Sequence, residues 1–166
     1  MNAVCMILAA ALVPWPKEAK FTGGDVKVTK PTYAVDAKLP REGYRISVTK
    51  GGVKVWSATD AGRFYAEKTL EQLAENGRYV CCEIVDEPVF SYRGFHIDEA
   101  RHFFGKDAIK KVIDEMSRLK FNHFHWHLTD DQGWRIQLKK YPELTEYGSW
   151  RVSSPVFGKM WQRKYD

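Results

Sequence analysis

The stretch "LKFNHFHWHLTDDQGWR", residues 119–135, alternates side-chain character from His123 to His127 and then breaks into two adjacent aspartates, Asp130 and Asp131. Alternation at period two marks a strand and places His123, His125 and His127 on one of its sides. Immediately upstream, Ile109, Val112, Ile113, Met116 and Leu119 recur at helical spacing. Further upstream, "YRGFHID" (residues 92–98) has the composition of another strand. Strand, helix and strand make a βαβ unit, whose strands run parallel and side by side.

In folds built from such units, chemistry gathers beyond the carboxyl ends of the strands. Two polar clusters fall there: "DEARHFF" after the first strand, with Asp98, Glu99, Arg101 and His102, and "TDDQGWR" after the second, with Asp130, Asp131 and Trp134. A guanidinium offers forked donors suited to sugar hydroxyls or carboxylates, and a carboxylate on the next loop can orient another group. Arg101 and Asp130 therefore read either as parts of a binding pocket or as an ion pair on its rim. The three histidines admit a zinc site, and "HFHWH" is similar to the zinc strand of carbonic anhydrases. No histidine follows His127, however, and the βαβ setting is foreign to that predominantly β family, so packed or hydrogen-bonded histidines, with no metal, are expected.

The rest of the chain reads as a separate layer. "DVKVTKPTYAVDA" and "GYRISVTKGGVKVWSAT" alternate apolar and polar residues, and Gly51–Gly52 suits a hairpin turn. These are expected to be strands of an antiparallel sheet. Phe64, Tyr65, Leu70, Leu73 and Ala74 then share a helical face, with Thr59 or Asp60 as N-cap and Gly77 as the stop. "YVCCEIVDEP" closes an α+β domain at Pro88.

Composition narrows the class. The chain has 166 residues, is 44% hydrophobic and carries 14% aromatics, which excludes disorder. Its +5 charge is spread among acids without a basic block, so no nucleic-acid partner is expected. Its three cysteines, two of them adjacent, offer no disulfide framework. The apolar run at residues 3–13, too short to span a bilayer, reads as an export leader, which implies a secreted or periplasmic protein with no transmembrane span, or else as a buried first strand or helix.

"YRGFHIDEARHFF" and "LKFNHFHWHLTDDQGWRIQLKKYPELTEYGSWR" together resemble the first two strands of the catalytic barrel of family 20 glycoside hydrolases, the β-N-acetylhexosaminidases. "SATDAGRFYAEKTLEQL" and "EIVDEPVFSYRG" resemble the small domain that precedes that barrel. The implied fold is an α+β N-terminal domain followed by the start of a (β/α)8 TIM barrel, truncated. Its implied boundaries are a leader over residues 1–13, the α+β domain over 14–88 and the barrel portion over 89–166.

The resemblance implies that Arg101 binds hydroxyls of a terminal N-acetylhexosamine and that Asp130 supports the catalytic acid. Asp131, His127 and Trp134 are secondary candidates for substrate contact. The implied reaction is retaining hydrolysis without a cofactor, in which the acetamido oxygen of the sugar attacks the anomeric carbon. The implied partner is an N-acetylhexosamine-terminated glycan or chitooligosaccharide. The family's catalytic Asp-Glu pair lies on a later strand, and none of Asp86-Glu87, Asp98-Glu99 or Asp114-Glu115 stands in its place. The chain is thus expected to be an incomplete fragment with little activity alone. A non-enzymatic carbohydrate-binding or docking module is the alternative. Glu99 and Ala100 stand where the family usually has valine and serine, which puts the local rim in question.

Overall fold

The computed structural model describes residues 12–151. They fall into two units, the first reaching Ser91 and including Ser117–Lys120, the second holding Tyr92–Met116 and the chain from Phe121 onward.

In the first unit, β1 (Glu18–Lys27), β2 (Thr32–Val35), β3 (Tyr44–Thr49), β4 (Gly52–Ser57) and β6 (Arg78–Asp86) form one sheet in the order β1-β6-β3-β4-β2. The expected hairpin joins β3 to β4 through Gly51 and Gly52, whose φ of 124° is open to glycine. The sheet is not wholly antiparallel, because β2 pairs with β4 in parallel. The chain runs along the outer edge as β2, turns back through residues 36–43 into β3, and returns as β4, so β2 and β4 point the same way. β1 carries a register shift between Phe21 and Asp25, where Gly23 and Gly24 take φ of 83° and 81°.

Helix α1 (Asp60–Leu73) covers one face of this sheet. Thr59 caps it by accepting the Gly62 amide at 3.3 Å, and Asp60 places a negative charge at the positive helix end. Tyr65, Ala66, Leu70 and Leu73 pack on Tyr44, Ile46, Val48, Val55 and Ile84. Burying each large apolar side chain contributes about 1.5–3 kcal/mol. Two expectations fail here. Phe64 is 40% exposed, since it lies off the buried stripe, and the helix ends at Leu73 rather than near Gly77. Asn76 and Gly77, at φ of 49° and 73°, instead turn the chain from a short strand β5 (Ala74–Glu75) into β6.

Beneath α1 lies a buried polar cluster. Tyr44 Oη stands 2.6 Å from both Thr69 Oγ1 and Asp86 Oδ2, while Lys120 Nζ donates to Tyr44 Oη at 2.7 Å and to Asp86 Oδ2 at 2.9 Å. Burial, followed by the nearby Asp86 carboxylate, pushes the Tyr44 phenol far above its ordinary pKa. Cys81 and Cys82 are buried and form no disulfide with each other, as neighbours on opposite faces of β6. The expected leader lies outside the described residues except for Leu12 and Val13. Leu12 is buried in the core, and Val13 exchanges backbone bonds with the Gln72 amide at 2.8 and 2.9 Å.

The second unit contains the expected βαβ path of β7 (Gly94–Asp98), α2 (Lys106–Arg118) and β8 (His123–His127). β7 and β8 pair in parallel, with Gly94 opposite His123 and Asp98 opposite His127. Of the helical stripe, Ile109 and Met116 are buried and Val112 is half-buried, whereas Ile113 is 45% exposed. Short strands β9 (Thr129–Asp130) and β10 (Gly133–Trp134) follow, then a single helical turn, α3 (Glu143–Glu146). Among the described residues, no helix is long and apolar enough to cross a membrane.

Candidate active-site rim

Register decides which side chains meet. Because Asp98 pairs with His127 at the carboxyl ends of β7 and β8, the loops that leave both strands begin side by side. The backbone ladder continues one step further, with the amides of Glu99 and Ala100 both donating to the His127 carbonyl, at 2.9 and 3.1 Å. This turn carries Arg101 over the end of β8.

There the guanidinium is held from three directions. Nη1 donates to Asp98 Oδ2 at 2.9 Å, Nε to Gln132 Oε1 at 2.6 Å, and Nη2 meets Asp130 Oδ2 at 2.9 Å. With Nη1 also 3.2 Å from His127 Nδ1, these contacts engage four of the five N–H donors an arginine has. Its side chain remains 44% exposed, so the outer edge of the fork faces solvent. The rim ion pair anticipated from sequence is therefore present, as a positioned cation with one donor to spare.

The two carboxylates are ionised partners. Burial opposes ionisation of Asp98, but the Arg101 amide and guanidinium outweigh it and hold the carboxyl below its ordinary pKa. The Asp130 pKa is lowered first by hydrogen bonding to Asp131, whose amide donates to Oδ1 at 2.8 Å, and then by Arg101 against burial. Arg101 is raised in turn: burial opposes this, and Asp98 and Asp130 prevail.

The secondary candidates separate. His127 joins the cluster, with Nε2 3.0 Å from Asp130 Oδ2. Asp131 is exposed, with its amide turned back to Asp130. Trp134 is half-buried, and its indole N–H donates to the Ile136 carbonyl at 2.6 Å. His123 bonds to Asn122 at 2.6 Å, and His125 stacks edge-on against His96 with ring centroids 4.6 Å apart. Among the described residues no group of three or more His, Cys, Asp or Glu side chains could hold a metal ion.

Two supporting residues, Gln132 and Arg135, escape sequence reasoning, and a third, Glu99, is named there only as a member of the first strand-end cluster. Gln132 bonds to Arg101 from the loop between β9 and β10. Glu99, fully buried, accepts the Phe104 and Gly105 amides at Oε1, each at 2.9 Å, and the Trp126 indole at Oε2 at 2.6 Å. Arg135 donates to the carbonyls of Glu99 and Ala100 at 3.0 and 3.1 Å and to that of Ser149. Strand alternation holds the one usable signal: Glu99 must point away from Asp98. Gly133 makes the approach possible, since a Cβ there would lie 2.7 Å from the Ala100 carbonyl oxygen.

Comparison with known proteins adds independent support. Residues 90–164 match the profile described as "Glycosyl hydrolase family 20, catalytic domain", and residues 8–87 match "Glycosyl hydrolase family 20, domain 2". A β-hexosaminidase of Porphyromonas gingivalis is 48% identical over 131 residues, which covers 71% of this chain and 17% of that protein. The crystal structure of a β-N-acetylhexosaminidase from Bacteroides fragilis superposes with a TM-score of 0.80 at 32% identity, over 87% of this chain and 38% of that one. An exo β-N-acetylglucosaminidase from Vibrio harveyi, solved in complex with N-acetylglucosamine, gives 0.79 at 28% identity, over 88% and 30%. The chain thus spans well under half the length of these relatives.

Proposed function

The chain belongs to glycoside hydrolase family 20, and on that premise we propose that it supplies the small α+β domain and the opening of the catalytic (β/α)8 barrel of a β-N-acetylhexosaminidase. The substrate is a terminal β-linked N-acetylhexosamine on a glycan or chitooligosaccharide, hydrolysed with retention through the sugar's own acetamido group. Arg101 donates to hydroxyls of that terminal sugar. Asp130 supports the catalytic acid by hydrogen bonding. We also read residues 3–13 as an export leader that takes the protein to the periplasm or medium, where N-terminal sequencing of the recovered protein tests the assignment.

One observation carries this reading: the Arg101 guanidinium is fixed by side chains from two adjacent βα loops and still has an open outer edge. A rigid donor of that kind recognises a sugar hydroxyl at small entropic cost. The test is to graft this chain in place of the aligned segment of the Porphyromonas gingivalis β-hexosaminidase. Hydrolysis of 4-nitrophenyl N-acetyl-β-glucosaminide is then measured. The graft should turn over, and Arg101→Lys should lower kcat/KM about a hundredfold. A folded graft that binds N-acetylglucosamine without hydrolysing its glycosides would favour the binding-module reading instead. An active graft indifferent to Arg101 would refute the assignment.

A further inference from the structure

His127 sits between the two side chains that carry the proposed function, and its ring nitrogens meet opposite chemistry. Nε2 lies 3.0 Å from Asp130 Oδ2 and 3.1 Å from the Thr129 carbonyl oxygen. Both are acceptors, so this nitrogen carries the proton. Nδ1 lies 3.2 Å from Arg101 Nη1, which can only donate, and 3.5 Å from Asp98 Oδ1. The nearer group requires a bare nitrogen. Asp98 has no need of the imidazole, because its two oxygens already accept the Arg101 amide at 3.0 Å and Nη1 at 2.9 Å. An imidazolium would have to aim its second proton at the more distant Asp98, give up Arg101, and set a second positive charge beside the guanidinium.

We infer that His127 is a positioning residue: held as the neutral Nε2–H tautomer, it accepts from Arg101, donates to the Thr129 carbonyl and rests against Asp130, and so holds the guanidinium and carboxylate of neighbouring loops in one relative orientation. The three groups close a triangle, because Arg101 Nη2 also meets Asp130 Oδ2 directly. None of them can swing without breaking two contacts. The imidazole is 22% exposed against 44% for Arg101, so it braces the pair from behind and leaves the arginine's outer edge open. His96, with its ring centroid 5.8 Å away, and His125, at 6.4 Å, back the imidazole along the strands. The role of the pair rests on the function proposed above, whereas the tautomer does not.

Two measurements decide it. In the 166-residue chain with 15N-labelled histidine, long-range 15N–1H correlation at neutral pH should show His127 with Nε2 protonated and Nδ1 bare. A proton on Nδ1, alone or in addition, overturns the inference. In the graft, glutamine can place an amide N–H where Nε2–H stood, whereas asparagine cannot reach that point. His127→Asn should therefore lower kcat about a hundredfold while His127→Gln stays within about tenfold, each read beside its unfolding midpoint. Equal losses in the two variants, or no loss in either, overturn the inference. The expected tautomer in a graft that does not depend on Arg101 would leave the positioning geometry standing and sink only the proposed function.

Discussion

Replacing Lys120 with methionine should weaken the first unit by about 3 kcal/mol, the low end of what breaking a buried ion pair costs. Lys120 and Asp86 have side chains only 8% and 12% exposed, and their atoms meet at 2.9 Å. Methionine fills the same volume and keeps the same φ of 61°, so neither packing nor backbone strain changes much. What changes is the carboxylate left behind. Asp86 keeps two donors, the Tyr44 hydroxyl at 2.6 Å and the Lys17 amide at 3.1 Å, which is why the low end of the range applies. Native-state hydrogen exchange at Ile46 and Ile84, buried on adjacent central strands, reads the stability of this unit alone. Their exchange should quicken by about a hundredfold, at 1.4 kcal/mol per factor of ten. The double variant Asp86→Asn, Lys120→Met should recover part of the loss, because it leaves no orphan charge. A cost under about 1 kcal/mol for Lys120→Met alone would refute the reasoning, since that is what an exposed pair contributes.

Glu99→Gln should disturb the turn before Arg101, because every group facing the carboxylate is a donor: the Phe104 and Gly105 amides on one oxygen, the Trp126 indole on the other. An amide NH2 must oppose one of them at about 1–3 kcal/mol, and the displaced Trp126 indole resonance should report it. Gly62→Ala should lower the melting temperature although alanine is the better helix former, because its Cβ would collide with the Gly43 carbonyl oxygen. Asp98 and Asp130 should titrate by NMR below the ordinary aspartate value of about 3.9. A depressed folded-state pKa means that their stabilisation is complete above that value and drains away as the pH falls through the folded-state pKa; Arg101→Met should bring both midpoints back up.

Legibility followed periodicity. β3, β4 and α1 each bury one regular face, while α2 and β8 keep the helical and strand spacing with few buried side chains, so periodicity places all five and the strand-end rule then finds Arg101 and Asp130. Chain reversals were harder. The apolar stripe of α1 runs on into Ala74, and only the left-handed torsions of Asn76 and Gly77 show where it stops. β2 offers a short alternating segment with no sign of its partner, because parallel pairing with β4 depends on the path of residues 36–43. Gln132 serves the Arg101 guanidinium, Arg135 backbone carbonyls, and Glu99 two amides and an indole, and contacts of that kind have no sequence period.

Glu99 and Ala100 work behind the rim and not on its outward face. Alternation along β7 sends Asp98 toward Arg101 and residue 99 to the opposite side, so a change at 99 acts behind the rim. A carboxylate there must be fully satisfied, because it is buried. It meets that demand by gathering the loop amides of residues 104 and 105 on one oxygen and reaching β8 through the Trp126 indole on the other. Ala100, small and buried, lets Gly133 and the Arg135 guanidinium close against its carbonyl oxygen. The result is a loop tied to both its own helix entry and the neighbouring strand. Arg101 leaves that loop already aimed at Asp98, Asp130 and His127.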